Sequence, residues 1–326
     1  MENDQAWHLR VQLMPDLPNH AEMTAASSPT TIAVTGATGL IGSALVARLR
    51  ATGHVVRRLV RSGRDAQAGD VSWNPEAGTL DPSALAGCDA IIHLAGAPVA
   101  ERWTASHKRD IRDSRVKGTA LLAKAVAAMA VKPRVVLSGS ATGYYGDRGD
   151  EQLDERSAPG TGFLADVARA WEGAAEPIAQ AGVRLVLLRT GVVLSPDGGA
   201  LGKMLPPFRM GLGGPMGSGR QWISWISLND QVRAIEHALA TDGLRGPVNL
   251  VSPNPMTNAM FATTLGRVLR RPALMPLPAF ALELMFGEMA EATVLAGQRV
   301  VPQALGGAGF QCAEPTLEGA LRAMLS

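Results

Sequence analysis

Cysteine occurs only twice in the 326 residues, at Cys88 and Cys312. The two are far apart and lack metal-ligand spacing, which argues against a zinc site or a disulfide scaffold. Two reduced thiols in a cytoplasmic protein, with no bound metal, is the expected reading. No apolar run is long enough to span a bilayer, so no membrane partner is expected. The most apolar late stretch, residues 273–286, contains Pro276, Pro278 and Glu283 and reads as a buried loop and helix. Nor is there a basic run or a basic-aromatic stripe. Lys plus Arg total 31 against 29 Asp plus Glu, a balance that argues against nucleic acid as the partner. The first thirty residues have no signal-peptide pattern. Pro15, Pro18 and the Ser-Pro stretch before Thr30 read as a flexible leader over 1–30, with Met23 as an alternative start.

What is present is a regular alternation. Apolar residues make up 46% of the chain and charged residues 18%, enough for a sizeable core. Short β-branched or apolar runs are expected as strands at 32–35, 54–60, 71–73, 90–94, 135–138, 183–188 and 248–251. Helical spacing covers 40–52, 104–129, 161–181 and 228–240, the last opened by Ser227 or Asn229. Strand and helix in turn predict an α/β fold, a Rossmann-type doubly wound parallel sheet, over residues 31–250. Residues 195–219 are rich in glycine and proline and are expected as a long loop on the substrate side. Residues 254–326 are expected as a smaller, mostly helical C-terminal α+β lobe.

The strand-to-helix turn Thr35-Gly36-Ala37-Thr38-Gly39-Leu40-Ile41-Gly42 carries the chemistry. Its glycines permit a sharp turn, a close approach of phosphate to backbone, and tight packing of helix on sheet. The helix start then offers bare amides and a positive dipole end. In the full βαβ setting this is a dinucleotide fingerprint. An NAD site calls for an acid at the end of the second strand to bind the ribose hydroxyls. The chain has Arg61 and Ser62 there, with Arg64 nearby, which suit a 2′-phosphate. NADP(H) is therefore the expected cofactor and NAD(H) the second choice. Leu94, Ala95 and Gly96 are expected to pass beneath the cofactor, with Ser138 close by. His93, inside an apolar strand, is read as a core histidine.

The glycine turn, Ser114-Arg115-Val116-Lys117-Gly118-Thr119, Gly143-Tyr144-Tyr145-Gly146, Trp171-Glu172, Arg189-Thr190-Gly191 and Gly287-Glu288-Met289-Ala290 occur in order. Together they resemble the extended short-chain dehydrogenase/reductases. The nearest likeness is to the atypical epimerase-family proteins related to nucleoside-diphosphate-sugar epimerases, whose C-terminal domain has no known function. The resemblance implies an NADP(H)-binding oxidoreductase or epimerase with a small-molecule substrate.

Ordinary members of that superfamily place a Tyr-x-x-x-Lys pair on one helix face, where the lysine lowers the tyrosine pKa for proton transfer. Here the only tyrosines are Tyr144 and Tyr145, and none of the five lysines lies four residues after either. Phe163 or Leu164 stands where the tyrosine would be, and Val167 or Ala168 where the lysine would be. The remaining catalytic candidates are Ser140, Tyr145 and Arg115, the last at a position where relatives often carry asparagine. Against a catalytic Arg115 stands a salt bridge to Asp113 or to acids near Glu151. Glu172 is read as a structurally paired acid and Asp230 as a helix cap. The open alternatives are an enzyme with a rearranged proton donor, with Trp222 and Trp225 lining its pocket, and a non-catalytic dinucleotide sensor or scaffold. A homodimer through a helix face is expected by analogy alone.

Overall fold

The computed structural model describes residues 30–61 and 69–325. Residues 1–29 of the expected leader, Ser62 and Arg64 lie outside the described residues.

The first half runs β1 (Thr31–Thr35), α1 (Leu40–Ala51), β2 (Val55–Val60), β3 (Val71–Asn74), β4 (Thr79–Leu80), β5 (Ala90–His93), α2 (Ala105–Ala128), β6 (Val135–Ala141), β7 (Gln152–Leu153) and α3 (Phe163–Gln180). It continues through β8 (Arg184–Thr190), β9 (Val192–Ser195), α4 (Gly199–Arg209), β10 (Trp222–Ile223), β11 (Trp225–Ser227), α5 (Leu228–Ala240) and β12 (Gly246–Leu250). The tail holds β13 (Met256–Thr257), α6 (Asn258–Leu269), α7 (Ala279–Phe286), β14 (Arg299–Val300), α8 (Gln303–Gly307) and α9 (Leu317–Leu325).

Eight strands form the main sheet in the order β12-β8-β6-β5-β1-β2-β3-β4. All neighbours are parallel except the β3–β4 pair at the edge. The strand order reverses at β1, between β2 and β5, which is where an open parallel sheet opens its ligand crevice. Side chains leaving β1 alternate between two cores. Ile32 and Val34 pack with Leu45 and Leu49 of α1 and Ile235 of α5. Ala33 packs on the other side with Ile91 of β5, Leu122 and Val126 of α2, and Ile178 of α3. Burying each large aliphatic side chain contributes about 1.5–3 kcal/mol, and these residues are shielded on both sheet faces.

A third core joins Leu201, Leu205 and Phe208 of α4 to Phe261 and Leu265 of α6 and Leu317 and Leu321 of α9. The tail is laced into the sheet domain by two short pairings, β10 with β13 and β7 with β14.

Several expectations are corrected. Residues 195–219 are not one loop: Gly199–Arg209 is helical despite Pro206 and Pro207. Leu201, Leu205 and Phe208 recur at helical spacing and bury one face, so tertiary packing overrides the prolines. Trp225 is fully buried in the core with Phe261 and Leu205, away from solvent. Ser227, not Asp230, caps α5 by accepting the Asp230 amide. Asp230 instead accepts the backbone amides of Ala313 and Glu314, fastening the last segment to α5. Residues 273–286 are largely exposed, with only Leu282 of α7 buried. The segment is held at the surface by backbone bonds to the 213–217 loop, and its large apolar side chains are exposed.

His93 is the core histidine its setting suggests. Its ring is bonded to Thr35 Oγ1 at 2.7 Å and Thr119 Oγ1 at 3.0 Å, and burial pushes its pKa down to about 4. The folded state therefore resists protonation that the unfolded chain accepts near pH 6.5. Its contribution is present above about pH 6.5 and lost progressively down to about pH 4. Urea denaturation from pH 7.5 to 5 is expected to show this loss, and His93→Gln is expected to flatten the slope. An unchanged slope in the variant would assign the pH dependence to other groups.

Candidate functional site

The crevice at the carboxyl ends of β1, β2 and β5 is built from three backbone segments. The first is the glycine turn. Gly36 has φ +67 and a Cβ there would sit 2.8–2.9 Å from the backbone of Leu94 and Ala95. Gly42 is packed harder, since its Cβ would lie 2.0 Å from the Gly36 carbonyl oxygen. These two glycines are required by the protein itself.

Gly39 differs. Its φ of −77 and ψ of 172 suit any residue, and the nearest contact of a Cβ would be the Gly36 oxygen at 3.4 Å. Neither conformation nor packing demands glycine, and the residue is exposed. The missing side chain leaves room for something outside the protein. Gly39 is also the N-cap of α1, with no side-chain cap bond and no acid in the first turn. The amides of the first turn are thus offered outward at the positive end of the helix. Thr38, exposed, stands beside them, and Leu40 and Ile41 are half-buried.

The second segment follows β5. Thr35 Oγ1 accepts the amides of Leu94 and Ala95 at 3.1 and 3.2 Å, pinning that loop to β1. Gly96 is exposed, and the Ala97 amide is held by Ser114 Oγ of α2. The third segment is the start of α4. Gly199 approaches Leu40 so closely that a Cβ would lie 3.3 Å from its side chain. Lys203 Nζ donates to Ala100 O at 3.1 Å. Residues 199–203 therefore reach from the glycine turn to the loop after β5. Arg61 is exposed immediately after β2, next to β1 in the sheet.

The three catalytic candidates do not form one cluster. Ser140, buried on β6, donates to Glu172 at 2.6 Å. Tyr145 is fully buried, and its hydroxyl donates to Asn249 at 2.7 Å and accepts from Arg189 at 3.0 Å. Burial pushes the Tyr145 phenol up to about 12. Arg189 grips both Glu172 oxygens at 2.8 and 2.9 Å. Burial opposes its charge, but the Glu172 carboxylate holds the guanidinium well above its usual range. Its guanidinium carbon also lies 3.5 Å from the centre of the Tyr144 ring. Ser140 and Tyr145 thus belong to a buried structural network, which is why neither is presented to the crevice. Tyr144, half-buried, is the tyrosine nearer to solvent.

Arg115 is placed otherwise. The anticipated salt bridge is not formed: Lys117 takes Asp113 and Arg148 takes Glu151. Arg115 Nη1 donates to the carbonyls of Ala97 and Ile111 at 3.1 and 3.0 Å. Its guanidinium lies 5.1 Å over the Trp171 ring and beside Gly96, where a Cβ would lie 3.1 Å from its carbon. Burial brings its pKa down to about 10, so it remains charged at neutral pH. Ser138 Oγ and Trp171 Nε1 are buried with no hydrogen-bond partner among the described residues, and a Cβ on Gly139, next to Ser138, would strike Trp171 at 2.8 Å. In the sequence Trp171 is one residue of the Trp-Glu motif, and its orphaned N–H emerges only from the packing. Trp222 is tied by its N–H to Asp150 and overlain by Arg299.

Comparison with known proteins identifies relatives of the whole fold. The profile of the NAD dependent epimerase/dehydratase family matches residues 32–250, and that of a domain of unknown function (DUF1731) matches 277–324. An epimerase family protein of Mycobacterium bovis is 48% identical over 89% of this chain and 96% of its own. The crystal structure of human epimerase family protein SDR39U1 (isoform 2) with NADPH superposes with a TM-score of 0.83 at 36% identity, over 90% of this chain and 98% of that one. A nucleoside-diphosphate sugar epimerase from Corynebacterium glutamicum gives 0.74 at 37% identity, over 91% of this chain but 58% of that longer one.

Proposed function

Since the chain belongs to the NAD dependent epimerase/dehydratase family, we propose that it binds NADP(H) and acts as an oxidoreductase on a small carbonyl or alcohol substrate, without the usual Tyr-x-x-x-Lys pair. The observation that carries the reading is Gly39, a glycine that neither its backbone nor its neighbours require, at the uncapped start of α1. A dinucleotide pyrophosphate is the ligand that such a turn accommodates. The related human protein was crystallised with NADPH, which supports the phosphorylated cofactor.

Bound there, NADPH supplies the hydride; the protein positions substrate and stabilises charge. Gly36, Thr38, Gly39, Leu40, Ile41 and Gly42 would hold the pyrophosphate side, and Arg61 with Ser62 the 2′-phosphate. Leu94, Ala95, Gly96 and Ser138 would border the cofactor. Arg115 is the candidate to polarise the substrate oxygen, a desolvated cation beside Gly96 that meets two carbonyls and an indole face and, among the described residues, forms no salt bridge. Ser140 and Tyr145 support the site from beneath, through Glu172 and Arg189.

Arg61→Ala is expected to weaken NADPH binding about 10-fold or more, the worth of a charge-assisted phosphate contact, and to leave NADH binding unchanged. Calorimetric titration with both cofactors checks this; equal losses would reject the phosphate assignment.

Burial of the Ser140 and Tyr145 hydroxyls favours a second reading, a dinucleotide-binding sensor without turnover. NADPH oxidation measured across a panel of aldehydes, ketones and quinones separates the two. Turnover that Arg115→Gln abolishes supports the enzyme. Tight binding with no oxidation of any compound supports the sensor.

A further inference from the structure

The 213–217 loop and the segment leading into α7 are zipped together. Met275 N donates to Gly213 O, Leu277 N to Pro215 O and Gly217 N to Leu277 O, at 2.9–3.2 Å. The outer side of this ribbon and helix is apolar and, among the described residues, uncovered. Leu274 is 82%, Phe280 71% and Leu284 76% exposed, joined by Met275, Leu277 and Met285. Met210 and Leu212 add their side chains from the neighbouring loop. Phe280 and Leu284, four residues apart in α7, share one helix face, and Leu277 adjoins it from the ribbon.

Eight large apolar side chains are exposed on this face, and a stable protein interface buries roughly 800 Å² per partner. The largest apolar patch of an ordinary monomer is about 300–600 Å². The ends of the ribbon carry opposite charge. Arg270 and Arg271 precede it, and the Arg271 guanidinium is fixed at the surface by a bond from Nε to Arg209 O. Glu283 and Glu291 lie at the other end, both exposed.

We propose that this face is the contact between two copies of the chain, related by a two-fold axis that sets the ribbon of one antiparallel to that of the other. An isologous contact of this kind covers apolar surface with its own kind. It also places Arg271 of each copy by Glu283 of the other, so both rims are paired by one operation. A lipid surface fits less well: membrane-lying helices carry a basic rim, whereas the charged residues in and just after α7 are Glu283, Glu288 and Glu291. The helix-face alternative is weaker too, because the exposed side of α2 is charged rather than apolar, with Arg109, Asp110, Arg112, Lys117 and Lys124. The contact would also brace the cleft. Arg102, on the loop after β5, donates to the Leu284 carbonyl at 3.2 Å.

Sedimentation velocity at micromolar concentrations tests the proposal. The wild-type chain is expected to sediment as a dimer, and Phe280→Asp/Leu284→Asp as a folded monomer with an unchanged circular dichroism spectrum. Arg271→Glu and Glu283→Arg are each expected to weaken association about 10-fold, and the double swap to restore it. A monomeric wild type would overturn the proposal, as would a dimer indifferent to all four substitutions. Flotation of the wild type with anionic phosphatidylserine vesicles, lost in Phe280→Asp/Leu284→Asp, would overturn it in favour of a lipid surface.

Discussion

Gly39→Val is expected to abolish NADPH binding, lowering affinity by more than about 100-fold, while the chain stays folded. Valine is comfortable at φ −77 and ψ 172, and its Cβ meets only the Gly36 oxygen at 3.4 Å. The cost to the apo protein is limited to a poorer helix N-cap, at most about 1 kcal/mol. The bound state pays far more, because the branched side chain stands in the path of phosphate oxygens approaching bare amides. Gly42→Ala is the control. Its Cβ would lie 2.0 Å from the Gly36 oxygen, a backbone collision that forces α1 away from the sheet, so this variant loses stability as well as binding. Thermal melting and NADPH titration of both variants give the answer. Gly39→Val binding NADPH with wild-type affinity would remove the ground for a nucleotide at this turn. If it melted far below wild type, Gly39 would prove to be structural after all.

The contrast shows what a sequence can convey. Gly-x-x-Gly-x-x-Gly between a strand and a helix announces a turn and a ligand together, and the alternation of apolar runs was enough to place β1, α1, β5, α2 and β6. It could not assign different duties to three identical residues, because the duty depends on which atoms lie opposite each missing Cβ. The same limit applies to the hydroxyls. Ser140 and Tyr145 follow the fifth strand of the alternation, as catalytic groups would. Their partners Glu172, Arg189 and Asn249 are 32, 44 and 104 residues away in the bonds concerned, a separation no local pattern reports. Residues 273–286 misled for another reason. High hydropathy normally means burial, but among the described residues the segment lies against a glycine-rich loop that is itself near the surface. The absent Tyr-x-x-x-Lys pair was legible outright, being a matter of residue types at fixed spacing. What occupies its surroundings was not: Arg115 approaches Trp171 of α3 from α2, across the packing of two helices.

Arg189→Met is expected to cost the fold about 3–5 kcal/mol, the scale on which a buried ion pair responds to loss of one partner. Glu172 is buried and takes its charge compensation from Arg189, with both carboxylate oxygens engaged. Methionine fills most of the arginine's volume, so packing around Tyr144 and Tyr145 is largely kept. The carboxylate, however, is left with the Ser140 hydroxyl alone, and the Tyr145 oxygen loses its donor. Removing both charges together relieves the first of these penalties: Arg189→Met/Glu172→Leu should be more stable than Arg189→Met, a non-additivity that marks the pair as coupled. Urea denaturation of wild type, both single variants and the double variant closes the cycle. A loss below about 1 kcal/mol for Arg189→Met would mean that water reaches Glu172 and that the network is not the dry support described. Because Ser140, Glu172 and Tyr145 all hang on Arg189, the single variant should also loosen the end of β6. NADPH affinity should then fall with stability in Arg189→Met and recover in part in the double variant. A cofactor affinity that stays at the wild-type value in both would separate this network from the cleft above it.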